Sequence, residues 1–166
     1  TMVTDEPLKQ DIIERFGTPC AVIELDVVDR NIARLQSRCD AAGLANRPHI
    51  KTHKSPFLAK RQLAAGAVGI TCQKLGEAEV MAEAGVGDIL IATNIIGAAR
   101  SGRLAALQRR MSLKICADNP VSLAAYAEAG HAADRPVNVL IECDTGRKRA
   151  GVETPGEAVA LAKMVR

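Results

Sequence analysis

The chain has 166 residues, 48% hydrophobic and 25% charged, a composition that fits one folded domain and excludes a disordered chain. Aromatic residues make up only 2%, and the formal charge of +3 is spread out, which argues against stacking platforms and a nucleic-acid stripe. Small anionic ligands suit this charge better.

The first stretch, "TMVTDEPLKQDIIERFG", is polar and acidic and lacks the apolar region of a signal peptide. No apolar run approaches the roughly 20 residues of a membrane span. The five cysteines, Cys20, Cys39, Cys72, Cys116 and Cys143, have no C-x-x-C spacing, and four lie in apolar runs. Reduced, buried thiols and a cytoplasmic location are the expectation.

Next comes a strand-like run, "CAVIELD", and a helix over 27–42. Five further apolar runs follow, "RPHIK", "AVGITCQ", "DILIATNI", "LKICADN" and "VNVLIECD", spaced by twenty to twenty-six residues. They are continuous rather than alternating, as in parallel strands covered on both faces. Helical periodicity is expected over 75–84, ended by Gly85, and over 98–111. Helices over 120–131 and 155–166 carry start signals: Asn119 then Pro120, and Thr154 then Pro155 with Glu157 closing a capping box. This alternation predicts successive βα units. A complete TIM-type barrel of about 250 residues has eight such units; five are legible here. An open doubly wound sheet fits equally, though no G-x-G-x-x-G follows the first strand.

In either architecture the active site lies beyond the C-terminal strand ends. Lys51, His53 and Lys54 stand there after the first run, followed by Gln73, by Thr93 and Asn94, and by Asp118 and Asn119. Asp144, Thr145, Gly146 and Arg149 follow the fifth. Residues i and i+2 of a strand share a side, so His49 and Lys51 are expected to face the same way. A lysine crowded by imidazoles and a second ammonium favours nucleophilic attack on an aldehyde. The plainer reading is a lysine that snorkels out of a strand end. His49 and His53 lack the helical spacing of a zinc H-E-x-x-H site, which argues against an intrinsic metal site. In "DTGRKRAGV", Arg149 is either a clamp on an anion or part of a solvated basic turn. Cys72 and Cys143 have no neighbouring histidine and are expected to be buried packing residues.

The blocks "TPCAVIELDVVDRNIARLQ", "RPHIKTHKSP", "GAVGITCQKLGEAEVMAEAGVGDILIATNIIG" and "ECDTGRKRAGV" resemble the D-threonine aldolase and D-serine dehydratase family. These are pyridoxal-phosphate (PLP) enzymes of the alanine-racemase-like, fold-type III class. The resemblance runs from about Thr18 onward. It implies a (β/α)8 TIM-type barrel, of which this chain holds the first five βα units. Residues 1–25 would be an N-terminal segment and leading strand, 26–166 a partial PLP-binding barrel, and the C-terminal β-domain is absent.

By the same resemblance Lys51 forms the Schiff base with PLP, and Arg149 lies against its phenolic oxygen. Gln73 belongs to the same mouth, His49 orients the lysine, and His53 lines its loop as a catalytic group. The implied activity is a PLP-dependent carbon–carbon lyase on D-β-hydroxy amino acids, foremost D-threonine aldolase. D-serine dehydratase or 3-hydroxy-D-aspartate lyase is the alternative; another class is a non-catalytic PLP-binding protein or inactive fragment. The family's divalent metal (Mn, Mg, Ca or Zn) belongs to a full-length protein, with no ligands in this chain. The implied assembly is a homodimer taking a small-molecule D-amino acid, with no nucleic-acid or membrane partner.

Overall fold

A computed structural model describes residues 5–165. Its elements, in chain order, are α1 (Glu6–Phe16), α2 (Leu25–Ala41), a 3-10 turn (Ile50–Thr52), α3 (Pro56–Ala64), β1 (Ile70–Cys72), α4 (Leu75–Glu83), β2 (Asp88–Ile91), α5 (Ala98–Arg110), β3 (Ser112–Ala117), α6 (Pro120–Ala133), β4 (Asn138–Ile141) and α7 (Pro155–Met164). The four strands are parallel and lie in sequence order, β1-β2-β3-β4.

That order separates the two architectures that the sequence alone left open. Right-handed crossovers between strands added always on the same side place every helix on one face. A doubly wound sheet needs a reversal of strand order, and there is none among the described residues. The register gives the same answer. Ile70, Cys72, Ile89, Ile91, Leu113, Ile115 and Ala117 share one face, and each is 0% exposed beneath the helices. Full burial of such side chains contributes about 1.5–3 kcal/mol apiece. Leu90, Lys114, Cys116 and Leu140 share the opposite face, and all are partly exposed. The sheet is a barrel wall, with helices outside and an open lumen.

Capping sets the helix starts. Asn119 Oδ1 accepts from Ser122 N at 3.0 Å ahead of Pro120, and Thr154 and Glu157 form the expected capping box before Pro155. Ser55 starts α3 in the same way, its Oγ accepting from Leu58 N at 3.4 Å. Gly85, with φ +89, lets the chain turn after α4. The expected helix over 155–166 ends at Met164, and Arg166 lies outside the described residues.

Two expected strands differ. "RPHIK" keeps only a single bridge, His49 to Thr71, before the 3-10 turn. Pro48 has no N–H to extend a ladder, and its carbonyl accepts from Thr71 N at 2.8 Å before the chain curls. "CAVIELD" forms no strand: Val22 and Ile23 are 48% and 56% exposed, and α2 begins at Leu25. Its composition is strand-like, but no strand edge meets it among the described residues. No helix among the described residues is long and apolar enough to cross a membrane.

Candidate active site at the strand ends

Lys51 sits inside the 3-10 turn, so the expected shared strand face with His49 does not form. The two are joined differently. Lys51 N donates to His49 Nδ1 at 3.2 Å, and His49 Nε2 lies 3.2 Å from Gln73 Oε1. Because Nδ1 accepts, Nε2 must carry the proton and donate to Gln73. The two bonds fix the ring between the Lys51 backbone and the Gln73 side chain.

The second ammonium expected beside Lys51 is paired with a carboxylate. Lys54 Nζ pairs with Glu77 Oε1 at 2.9 Å. The other oxygen of Glu77 accepts from Gln73 N at 2.8 Å and Lys74 N at 3.3 Å, capping α4. Burial alone would raise the Glu77 pKa, but Lys54 and the two N–H groups outweigh it and hold it below the ordinary value. Lys51 is exposed, and its amine makes no ion pair among the described residues.

His53 points elsewhere. Its Nδ1 accepts from Ser55 N at 3.0 Å, and its buried Nε2 faces Gln62. Burial lowers its pKa against the support of Gln62 and Ser55. The ring shapes the entry to α3, and the geometry does not bring it into the open mouth.

A chain of hydrogen bonds carries the rim from β1 to β4. Thr93 Oγ1 donates to the carbonyl of Gln73 at 2.9 Å. Next along, Asn94 Nδ2 donates to Asp118 Oδ1 at 2.7 Å, and Gly151 N donates to Asp118 Oδ2 at 2.9 Å. Gly151 closes the loop that carries Arg149. Asp144 shapes the start of that loop, Oδ1 accepting from Gly146 N at 2.7 Å and Arg147 N at 2.8 Å. Its base is shut by Asp144 N to Val152 O at 2.8 Å and Val152 N to Glu142 O at 2.9 Å. Arg149 is exposed on this rim. Beneath it, Tyr126 Oη accepts from Ile95 N at 3.0 Å and donates to Cys116 O at 2.9 Å. Neither Tyr126 nor the reach of Asp118 to Gly151 was legible in the sequence; the only signal was a polar residue just beyond each strand.

The thiols divide. Cys72 is buried, and burial together with the Glu77 charge pushes its pKa up to about 12, so it is no nucleophile. Cys143, expected to be buried, is exposed, because the chain leaves the sheet at Ile141. Cys20 is exposed as well, and Cys39 and Cys116 are half-buried, so general burial of the thiols is not found.

A one-sided parallel βα wall whose strand ends carry an exposed lysine and an arginine-bearing loop is part of a βα barrel. Residues 23–166 match the family described as alanine racemase, N-terminal domain, and the chain belongs to that family. It is 38% identical over 156 residues to a D-threonine aldolase of Arthrobacter sp., covering 94% of this chain and 41% of that protein. It is 41% identical over 153 residues to the D-threo-3-hydroxyaspartate dehydratase of Delftia sp. (strain HT23), covering 92% and 40%. The crystal structure of D-threonine aldolase from Filomicrobium marinum superposes with a TM-score of 0.87 at 38% identity, over 89% of this chain and 40% of that one. The chain thus spans about two-fifths of the length of these relatives. The alanine-racemase-like α/β fold expected from the sequence is the fold observed, in its N-terminal part.

Proposed function

We propose that residues 26–166 form the cofactor-anchoring part of a PLP-dependent lyase acting on D-β-hydroxy amino acids, with D-threonine aldolase activity foremost. The observation that carries this reading is the unpaired amine of Lys51 on a turn fixed by His49 and Gln73. Lys54, the rival lysine three residues on, is occupied by Glu77.

The residues present fit PLP at its aldehyde side. Lys51 supplies a primary amine without a competing carboxylate, and Arg149 supplies a planar donor for the phenolic oxygen. When bound, PLP supplies an electron sink for the bonding pair left at the substrate Cα. Gln73, its Oε1 committed to His49, has its amide N–H groups left to donate into the mouth. His53 acts from behind, holding the turn between Lys51 and α3. The described residues contain no group of three or more His, Cys, Asp or Glu placed to hold a metal ion.

Retro-aldol cleavage breaks Cα–Cβ, removes the β-hydroxyl proton and returns a proton to Cα, giving glycine and an aldehyde. The alternative, dehydration, removes the α-proton and expels the hydroxyl as water; the released enamine becomes an imine, which takes up water to give a keto acid and ammonia. The structural likeness to a D-threonine aldolase favours the first; the identity to a dehydratase keeps the second. The test is product analysis of the full-length protein given D-threonine, D-serine and 3-hydroxy-D-aspartate in turn. Glycine with acetaldehyde from D-threonine is the expected result. A keto acid with ammonia would establish the dehydratase, and uptake of PLP without turnover would establish a binding protein. A cytoplasmic homodimer completes the proposal, with sedimentation as its check.

A further inference from the structure

Asp118 stands just beyond β3, yet it touches three other parts of the rim. Its Oδ1 accepts from Asn94 Nδ2 at 2.7 Å, beyond β2, and from Asn119 Nδ2 at 2.8 Å, the cap of α6. Its Oδ2 accepts from Gly151 N at 2.9 Å, beyond β4. The donors are themselves fixed. Asn94 Oδ1 accepts from Ser122 Oγ at 2.8 Å, and Asn119 Oδ1 accepts from Ser122 N at 3.0 Å. Ser122 is 0% exposed. Asn119 cannot turn over without setting its NH2 against Ser122 N, nor Asn94 without setting its NH2 against Asp118 N, which donates to its Oδ1 at 3.4 Å, so all three groups aimed at Asp118 are locked as donors.

Only an acceptor with both oxygens bare satisfies such a set. Burial alone would raise the carboxyl's pKa, but Gly151 N–H and the amides of Asn119 and Asn94 prevail and hold it below the usual carboxylate range. The group is therefore a fixed anion at neutral pH.

The far end of this network is equally constrained. Gly151 has φ +100, and a Cβ there would stand 2.6 Å from both Asp144 N and Cys143 C. The backbone can approach that closely only with glycine. Held at its base by the Val152 bonds and at its end by Asp118, the 144–151 loop has one closed shape. Arg149 stands two residues before the pinned amide.

We propose that Asp118 is a positioning residue: its carboxylate locks Gly151 and so fixes the loop that presents Arg149 to the cofactor. The role in presenting Arg149 rests on the PLP reading above; the locking of the loop does not. Asp118→Asn keeps the shape but sets one NH2 against a locked donor, whichever way the amide faces. The lost contact is a charge-assisted bond to a backbone N–H.

The experiment uses the full-length protein with and without PLP, and compares wild type, Asp118→Asn, Arg149→Ala and the double variant. Without PLP, Asp118→Asn should speed amide hydrogen exchange across 144–152 by about ten-fold, the loss expected of one such bond. With PLP, the variant should weaken cofactor affinity by about ten-fold in the wild-type background and by less than about two-fold where Arg149 is alanine. Equal weakening in both backgrounds, or wild-type exchange in the loop, overturns the proposal. Should Asp118→Asn fail to fold, Asn94→Ala removes one donor and is expected to shift exchange and affinity in the same direction; no shift in either overturns it. If the wild type takes up no PLP, the cofactor reading and the role in presenting Arg149 fall together, and the exchange measurement still decides the lock.

Discussion

Replacing Tyr126 with phenylalanine removes one oxygen from a side chain that is 2% exposed. That oxygen accepts from Ile95 N at 3.0 Å and donates to Cys116 O at 2.9 Å. Its pKa is pushed up to about 12, chiefly by burial, so it is a neutral donor and acceptor at any working pH. Phenylalanine fills the same space and opens no cavity worth counting. What it leaves is the Ile95 N–H, on a residue 6% exposed, with no partner. An orphaned buried donor costs about 1–3 kcal/mol, so we expect a loss of about 2 kcal/mol. For a domain of this size that is about 4–8 °C in Tm. Urea denaturation of the full-length protein is the assay, with the m-value expected to stay constant, because the exposed surface hardly changes. A loss below about 0.5 kcal/mol would refute the claim that this hydroxyl joins β2's exit to β3.

Three further outcomes are expected. Glu77 has its pKa depressed on folding by Lys54 and by the N–H groups of Gln73 and Lys74, against burial. Its stabilisation is therefore complete above the unfolded glutamate value and lost as pH falls through the folded one; a Tm profile from neutral pH down to about pH 3 should fall less steeply for Glu77→Gln than for wild type. At the other end of the sheet Asp88 accepts from Arg47 at 2.7 Å and Lys114 at 2.8 Å, so Asp88→Asn strands two half-buried cations. The cost should be about 1–2 kcal/mol by denaturation, less than for a fully buried pair because water still reaches all three groups. In thiol labelling at neutral pH followed by mass mapping, Cys20 and Cys143 should react first and Cys72 only on unfolding.

Much of the wall could be read from the chain. Continuous apolar runs over β1 to β4 and the cap residues Asn119, Thr154 and Glu157 mark elements by local rules, and local rules decided them. Where the sequence failed, a non-local or competing term won. "RPHIK" has the composition of a strand, but Pro48 interrupts its ladder and His49 captures the next amide but one. "CAVIELD" has strand-like composition without an edge to pair with among the described residues. Of the mouth, the residues beyond each strand were legible and their bonds were not. Nothing local says that Asp118 reaches Gly151 across 33 positions, or that Glu77 disarms Lys54 and leaves Lys51 alone. His53 shows the same limit: two positions from Lys51, it faces Ser55 and Gln62 instead.

Lys51, exposed and held on a fixed turn, is the lysine we propose takes the aldehyde. The most direct measurement of this is borohydride reduction of the full-length protein in the presence of PLP, with peptide mass mapping of the product. A phosphopyridoxyl group on Lys51, and none on Lys54, is the expected result. Modification of Lys54 instead, or no modification of either, would contradict it.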